Sequence, residues 1–125
     1  KKDFEIRLVS VDENDPSRPV AVTVLLGKKS GTGASMPAGK GLQEAIADAT
    51  CRALERIVEG TSLQISETVV DAGSEGEKIV TVVGWCETAS GRQAMAGSSP
   101  VNRNVYRAVA EAVVGAFISS QSQVL

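Results

Sequence analysis

"SMPAGKGLQEAIADATCRAL" (35–54) and "SSPVNRNVYRAVAEAVVGAF" (98–117) are two versions of one segment. Laid 63 residues apart, Ser35, Pro37, Ala45, Ala47, Ala49 and Ala53 recur as Ser98, Pro100, Ala108, Ala110, Ala112 and Ala116. Leu42, Ile46, Asp48 and Leu54 meet Val105, Val109, Glu111 and Phe117. Self-similarity of this kind marks one supersecondary unit used twice. Upstream, "VTV" at 22–24 matches "VTV" at 80–82, with the change of offset that a different loop length produces. Ala-rich helices resemble one another by composition alone, but the matching strand and the Ser-x-Pro before each helix argue for duplication.

Each half reads as strand, strand, short strand, helix. Phe4, Ile6 and Leu8 alternate with Glu5 and Arg7, the period of a half-buried strand. "ENDPSRP" reverses the chain into "VAVTVLL" (20–26), and "GKKSG" turns it again into "TGAS". The second half offers "LQISETVV" (63–70), "KIVTVVGWCE" (78–87) and a third strand near "RQAMAG". Leu42, Ala45, Ile46, Ala49, Ala53, Leu54 and Ile57 fall on one helical face, as do Val105, Ala108, Val109, Ala112, Ala116 and Phe117. The expected fold is therefore α+β: two pseudo-repeated βββα units in one domain, residues 1–58 and 59–125, with antiparallel sheets packed against two helices. Val113, Val114 and Ile118 broaden the second stripe. That width serves either a contact with another chain or burial between two layers of the same one.

Composition sets the outer limits. The 125 residues are 42% hydrophobic and 22% charged, with a net charge of −2. This suits one domain with a core and supplies no basic field for nucleic acid or an anionic membrane. No apolar run approaches the roughly 20 residues of a membrane span, and "KKDFEIRL" lacks a signal peptide's apolar stretch. The first residue is Lys, not Met, so the chain is expected to be part of something longer. Cys51 and Cys86 have neither metal-ligand spacing nor the number of a disulfide framework. They read as buried small apolar residues of a reducing, cytoplasmic protein.

Histidine is absent, which removes the commonest general base and the commonest metal ligand. No catalytic residue, metal site or cofactor is expected. Asp12 with Glu13, and Glu75 with Glu77, sit in polar turns and read as solvated carboxylates. The aromatics are too few for a base-stacking platform. Arg52 and Arg56 could form a small basic spot, or pair with Asp48 and Glu55.

"ASMPAGKG" (34–41) imitates a phosphate-binding loop. Gly41, however, stands where that loop needs a magnesium-binding Ser or Thr, and hairpin-forming strands do not supply the parallel βα unit. What remains is a helix opened by Gly39-Lys40-Gly41. Free N–H groups, the positive helix end and Lys40 would suit a small carboxylate there. The alternative is that Gly41 merely caps the helix, with Glu44 completing a capping contact.

"GKGLQEAIADAT" (39–50) resembles the Gly-x-Gly-Pro-x-Asp-Ala helix start in the C-terminal regulatory domain of 2-isopropylmalate synthase and its citramalate synthase relatives. "NVYRAVAEAVVGAF" (104–117) is similar to that domain's final helix. The likeness runs over roughly residues 4 to 120. Leu42 stands where the motif has Pro, Glu44 where it has Asp, and Asn104 where the second helix start usually has Asp. The resemblance implies a non-catalytic regulatory and dimerisation domain behind an acetyl-CoA-dependent catalytic barrel. Its homodimer would bind leucine or isoleucine as feedback effector. By position, Gly39, Gly41, Glu44 and Ala45 match the first motif, and Asn104 and Ala108 the second. Lys40 and Leu42, in the same loop, complete the expected effector site. Two other classes stay open: a dimeric assembly or protein-binding module without an effector, and a small RNA-binding domain, which the acidic balance disfavours.

Overall fold

The computed structural model describes residues 3–122; the ends of the expected division, residues 1–2 and 123–125, lie outside them. The first unit comprises β1 (Phe4–Ser10), β2 (Val20–Leu26), β3 (Lys29–Ser35) and α1 (Leu42–Ile57). The second comprises β4 (Ser62–Ala72), β5 (Lys78–Thr88), β6 (Gly91–Pro100) and α2 (Val105–Ser122). Each unit forms an antiparallel sheet in chain order, β1-β2-β3 and β4-β5-β6. The duplicated βββα architecture read from the sequence is thus the observed one.

Strand alternation aims one face of each sheet at the helices. Val20, Val22 and Val24 of β2 and Val80 and Val82 of β5 are buried. Each such side chain contributes about 1.5–3 kcal/mol by leaving water. The third strands lie closest to the helices. A Cβ on Gly33 would collide with the Ala49 carbonyl oxygen and sit 2.5 Å from the Ala53 nitrogen. One on Gly97 would meet the Ala112 carbonyl and sit 2.5 Å from the Ala116 nitrogen. Glycine against alanine brings strand and helix backbones together twice, at the alanines that the repeat aligned.

The strands correct that alignment. Val22 pairs with Gly33 and Val82 with Gly97; Val20 pairs with Ser35 and Val80 with Ser99. Ser35 therefore corresponds to Ser99, not Ser98, and Val22 to Val82, not Val80. The "VTV" match is slipped by two residues, which preserves the buried face and so leaves the hydrophobic pattern intact. The third strands are also longer than expected. The turn before β3 shrinks to Gly27-Lys28, with Gly27 at φ 63, and β6 runs on to Pro100.

The two units interlock. α1 packs on β2 and β3 and reaches β4, α2 packs on β5 and β6 and reaches β1, and the helices touch each other. Phe4 of β1 meets Phe117 of α2 edge-on, with ring centroids 5.9 Å apart. Val113 and Val114 are buried inside this arrangement, while Ile118 is exposed. Of the broad stripe on α2, Val113 and Val114 are accounted for within one chain and Ile118 is not.

Candidate functional site

The first strand of each unit carries a bulge at the same place. Register shifts between Ile6 and Leu8, opposite Val24 and Thr23, and between Ile65 and Glu67, opposite Gly84 and Val83. A bulge bends the strand and leaves a residue without a cross-strand partner. β4 crosses Gly84 closely there: a Cβ on Gly84 would collide with the Gln64 carbonyl. Beside this bulge and the start of α1 lies a cleft of about 310 Å³, lined by Lys40, Glu44, Ala47 and Asp48 of the helix side and by Gln64 to Thr68. Its size is at the lower end of the roughly 300–1,000 Å³ of small-molecule sites.

Three carboxylates, Glu44, Asp48 and Glu67, line the cleft with one ammonium, Lys40. Lys40 Nζ donates to Ser35 Oγ at 3.1 Å and lies 3.6 Å from Asp48. Arg52 pairs with Asp48 at 3.8 Å and with Glu55 at 3.3 Å, the pairing expected of it. Thr68 Oγ1 is buried without a hydrogen-bond partner, and so is Arg52 Nε.

The other unit holds a natural comparison. The helical repeat equates Glu44 with Arg107 and Asp48 with Glu111, and the bulges equate Ile65 with Ile6. At the second site Arg107 donates to the Ile6 carbonyl at 2.9 Å and faces Glu111 at 3.7 Å. A guanidinium bridges strand and helix. At the first site Glu44 replaces that cation, and no side chain among the described residues donates to the Ile65 carbonyl. A bound ammonium would have the same kinds of partners that Arg107 finds at the second site, a carbonyl of a bulged strand and a helix carboxylate.

The eight expected site residues do not form one site. Lys40 and Glu44 line this cleft, whereas Asn104 and Ala108 line another, of about 380 Å³, with Pro100, Asn102, Arg103, Arg107 and Glu111. Ala45 is 0% exposed; it belongs to the core face of α1 and cannot touch an effector. Leu42 packs partly buried against the core. Gly39 and Gly41 shape the turn with φ 83 and 87 and line neither cleft. The helix starts also differ. Asn104 Oδ1 accepts the N–H groups of Tyr106 and Arg107 at 2.7 and 3.2 Å, so α2 is capped. α1 has Gly41 at its N-cap and no side-chain cap, and the capping contact expected of Glu44 is not made. Glu44 Oε1 instead lies beside Gly41, 2.8 Å from where a Cβ on that glycine would stand.

The β4 contribution, Gln64 to Thr68, was not legible, because no residue type announces a bulge in a strand of alternating character. Glu13, exposed in its turn as expected, also accepts from the Tyr106 hydroxyl at 3.0 Å. Burial, and then this carboxylate, push the Tyr106 phenol above its ordinary value. Burial likewise raises the Cys86 thiol and takes the Cys51 thiol up to about 12, so both read as inert small residues. Among the described residues no cluster of His, Cys, Asp and Glu could hold a metal, and no helix is long and apolar enough to cross a membrane. No family model matches the chain, and no curated protein matches its sequence.

Proposed function

We propose that this chain is a regulatory and dimerisation domain that binds a branched-chain amino acid, leucine or isoleucine, at the α1–β4 cleft. In this reading it serves an isopropylmalate or citramalate synthase-like acyltransferase whose catalytic barrel lies upstream, and it has no catalytic role itself. The observation that carries the reading is the exchange of Arg107 for Glu44 between equivalent positions. One cleft has a guanidinium on the bulged strand; in the other Lys40 and Arg52 are spent on Asp48, and Glu44 with the bulged strand is left for a cation from outside. The effector ammonium lies among Glu44, Asp48 and Glu67. Its carboxylate takes the uncapped N–H groups of α1 with Lys40, and its side chain rests on Ala47 and Ile65. Feedback follows if the effector binds one arrangement of the paired domains more tightly than another.

Calorimetric titration with leucine, isoleucine and valine tests this. The expected result is saturable heat selective for one of them and its loss in Glu44→Arg, which transplants the cation of the second unit into the first. No heat at millimolar ligand from the folded wild type overturns the effector reading. The chain would then be an assembly module, a reading that the apolar outer face of the second sheet favours.

A further inference from the structure

Each helix turns one line of side chains toward the edge of the opposite unit's first strand, and the two lines have diverged. On α1 the line is Glu44, Asp48, Arg52 and Glu55, which the helical repeat equates with Arg107, Glu111, Gly115 and Ile118 of α2. On α1 the last two serve the strand: Glu55 accepts the Leu63 N–H and Arg52 donates to the Leu63 carbonyl. On α2 only the first does, through Arg107 on the Ile6 carbonyl. The bulges equate Leu63 with Phe4. Backbone groups along a strand point alternately to its two sides, so Phe4, two residues before Ile6, turns its N–H and C=O to the same open edge. Gly115 and Ile118 bring no side-chain donor or acceptor to meet them. In their place lies a groove of about 370 Å³ between β1 and α2, lined by Phe4, Glu5 and Ile6 on one side and by Val114, Gly115 and Ile118 on the other. A Cβ on Gly115 would meet no atom within 4 Å, and Ile118 is 44% exposed.

We propose that this groove receives an extended segment of a partner protein, which adds to the edge of β1. The open groups decide the form of the occupant. Main chain supplies one donor and one acceptor per residue at strand spacing, so a single residue of the segment satisfies the N–H and C=O of Phe4 together. Residues opposite one another in such a pair share a face of the sheet. Phe4 faces the helices, where it meets Phe117; the residue paired with it therefore lays an aliphatic side chain over Gly115, against Ile118. Its neighbours in the segment point to the outer face. Charge selects them: Asp3 and Glu5, on either side of Phe4, are exposed and make no ion pair among the described residues. The partner segment is thus an aliphatic residue between two basic ones. This groove is separate from the α1–β4 cleft, and the proposal goes beyond the effector reading.

Amide NMR of the chain, titrated with an acetylated and amidated peptide of alternating Lys and Val, tests the proposal. Binding should saturate below about 1 mM, move the amide signals of Phe4, Glu5 and Gly115, and slow hydrogen exchange at Phe4. N-methylation of the central Val removes the N–H that the Phe4 carbonyl accepts and should weaken binding at least about tenfold. Exchanging the Lys residues of the peptide for Glu should do the same. Gly115→Arg combined with Ile118→Glu copies onto α2 the pair that covers Leu63, and it should close the groove to the peptide. The modified peptides leave the protein untouched, so they decide the outcome even where that double variant does not fold. No saturation by about 1 mM, equal affinity for the N-methylated peptide, or signal changes confined to β4–β6 overturns the proposal. Movement of the same amides with protein concentration alone assigns the groove to a second copy and overturns it too. Leucine titration reads the other cleft, so the failure of either proposal leaves the other standing.

Discussion

Glu55 Oε2 accepts the backbone N–H of Leu63 at 2.7 Å, while Arg52, one turn earlier on α1, donates to the carbonyl of the same residue. Two side chains of the first unit thereby satisfy the outer edge of the first strand in the second unit. An uncovered strand edge invites pairing with another chain, and a buried backbone group without a partner costs about 1–3 kcal/mol. Arg107 covers the Ile6 carbonyl of β1 in the same manner. The helices therefore hold the opposite sheets by hydrogen bonds to edge backbone as well as by apolar contact.

Glu55→Ala should lower stability by about 1–3 kcal/mol, since the Leu63 N–H loses its acceptor in a half-buried place. Glu55→Gln keeps an acceptor oxygen and should lose less than half as much. Urea unfolding of the two variants checks the order. Equal losses would show that the charge pair with Arg52, rather than the bond to the strand, holds β4.

The glycines yield two opposite signs. Gly33→Ala drives a methyl into the α1 backbone at Ala49 and Ala53, and separating strand from helix should cost about 1–3 kcal/mol. Gly115, within α2, has open space around an added Cβ. Gly115→Ala should gain about 0.5–1 kcal/mol from helix propensity. Thermal melts of both variants test whether the third strand, and not glycine content in general, sets the spacing.

Helices and strands differed in how much of them could be read. Ala49, Ala53, Ala112 and Ala116 were aligned correctly because helix positions are fixed by a packing demand that only small residues meet. In the strands, a slip of two residues exchanges Val80 for Val82 without exposing either, so the pattern carried the buried face but not the register. Register came from Gly33 and Gly97, whose role depends on a helix that passes over them. The helix half of the cleft, Lys40 and Glu44, was legible for a similar reason: a glycine pair marked the start of α1. Ala45 was misplaced into the site because proximity in a motif does not say which side of a helix a residue occupies. Its neighbour Glu44 faces the cleft and Ala45 the core. The strand half depends on a bulge defined by pairing across the sheet, which no single strand's sequence encodes.

Thr68 offers a third test. The residue lines the cleft and its hydroxyl is buried without a partner, so the chain bears a desolvation cost there. Thr68→Val removes that polar group at nearly constant volume and should stabilise the ligand-free protein by about 1 kcal/mol. The same change should weaken the effector of the proposed site, because the hydroxyl is a bond the ligand could complete. A variant both less stable and unaltered in binding would mean that Thr68 Oγ1 is served by water.

Cys51 supplies a pH test with a defined sign. Desolvation chiefly, with Asp48 and Glu55 adding to it and Arg52 opposing, raises its thiol from 9.0 to about 12. Between these values the unfolded chain releases the proton and the folded chain keeps it. The unfolded state therefore binds fewer protons, and stability must fall as pH rises. The contribution is complete below pH 9 and is lost progressively up to about 12, at a slope of about 1 kcal/mol per pH unit. Tyr106 and Cys86, also raised, add slopes of the same sign at alkaline pH. The comparison that isolates Cys51 is therefore wild type against Cys51→Ala. The variant should begin less stable, because a buried sulfur is deleted from a packed helix, and its stability should fall less steeply above pH 9. Parallel pH profiles would mean that the thiolate is tolerated in place, stabilised by the Arg52 guanidinium.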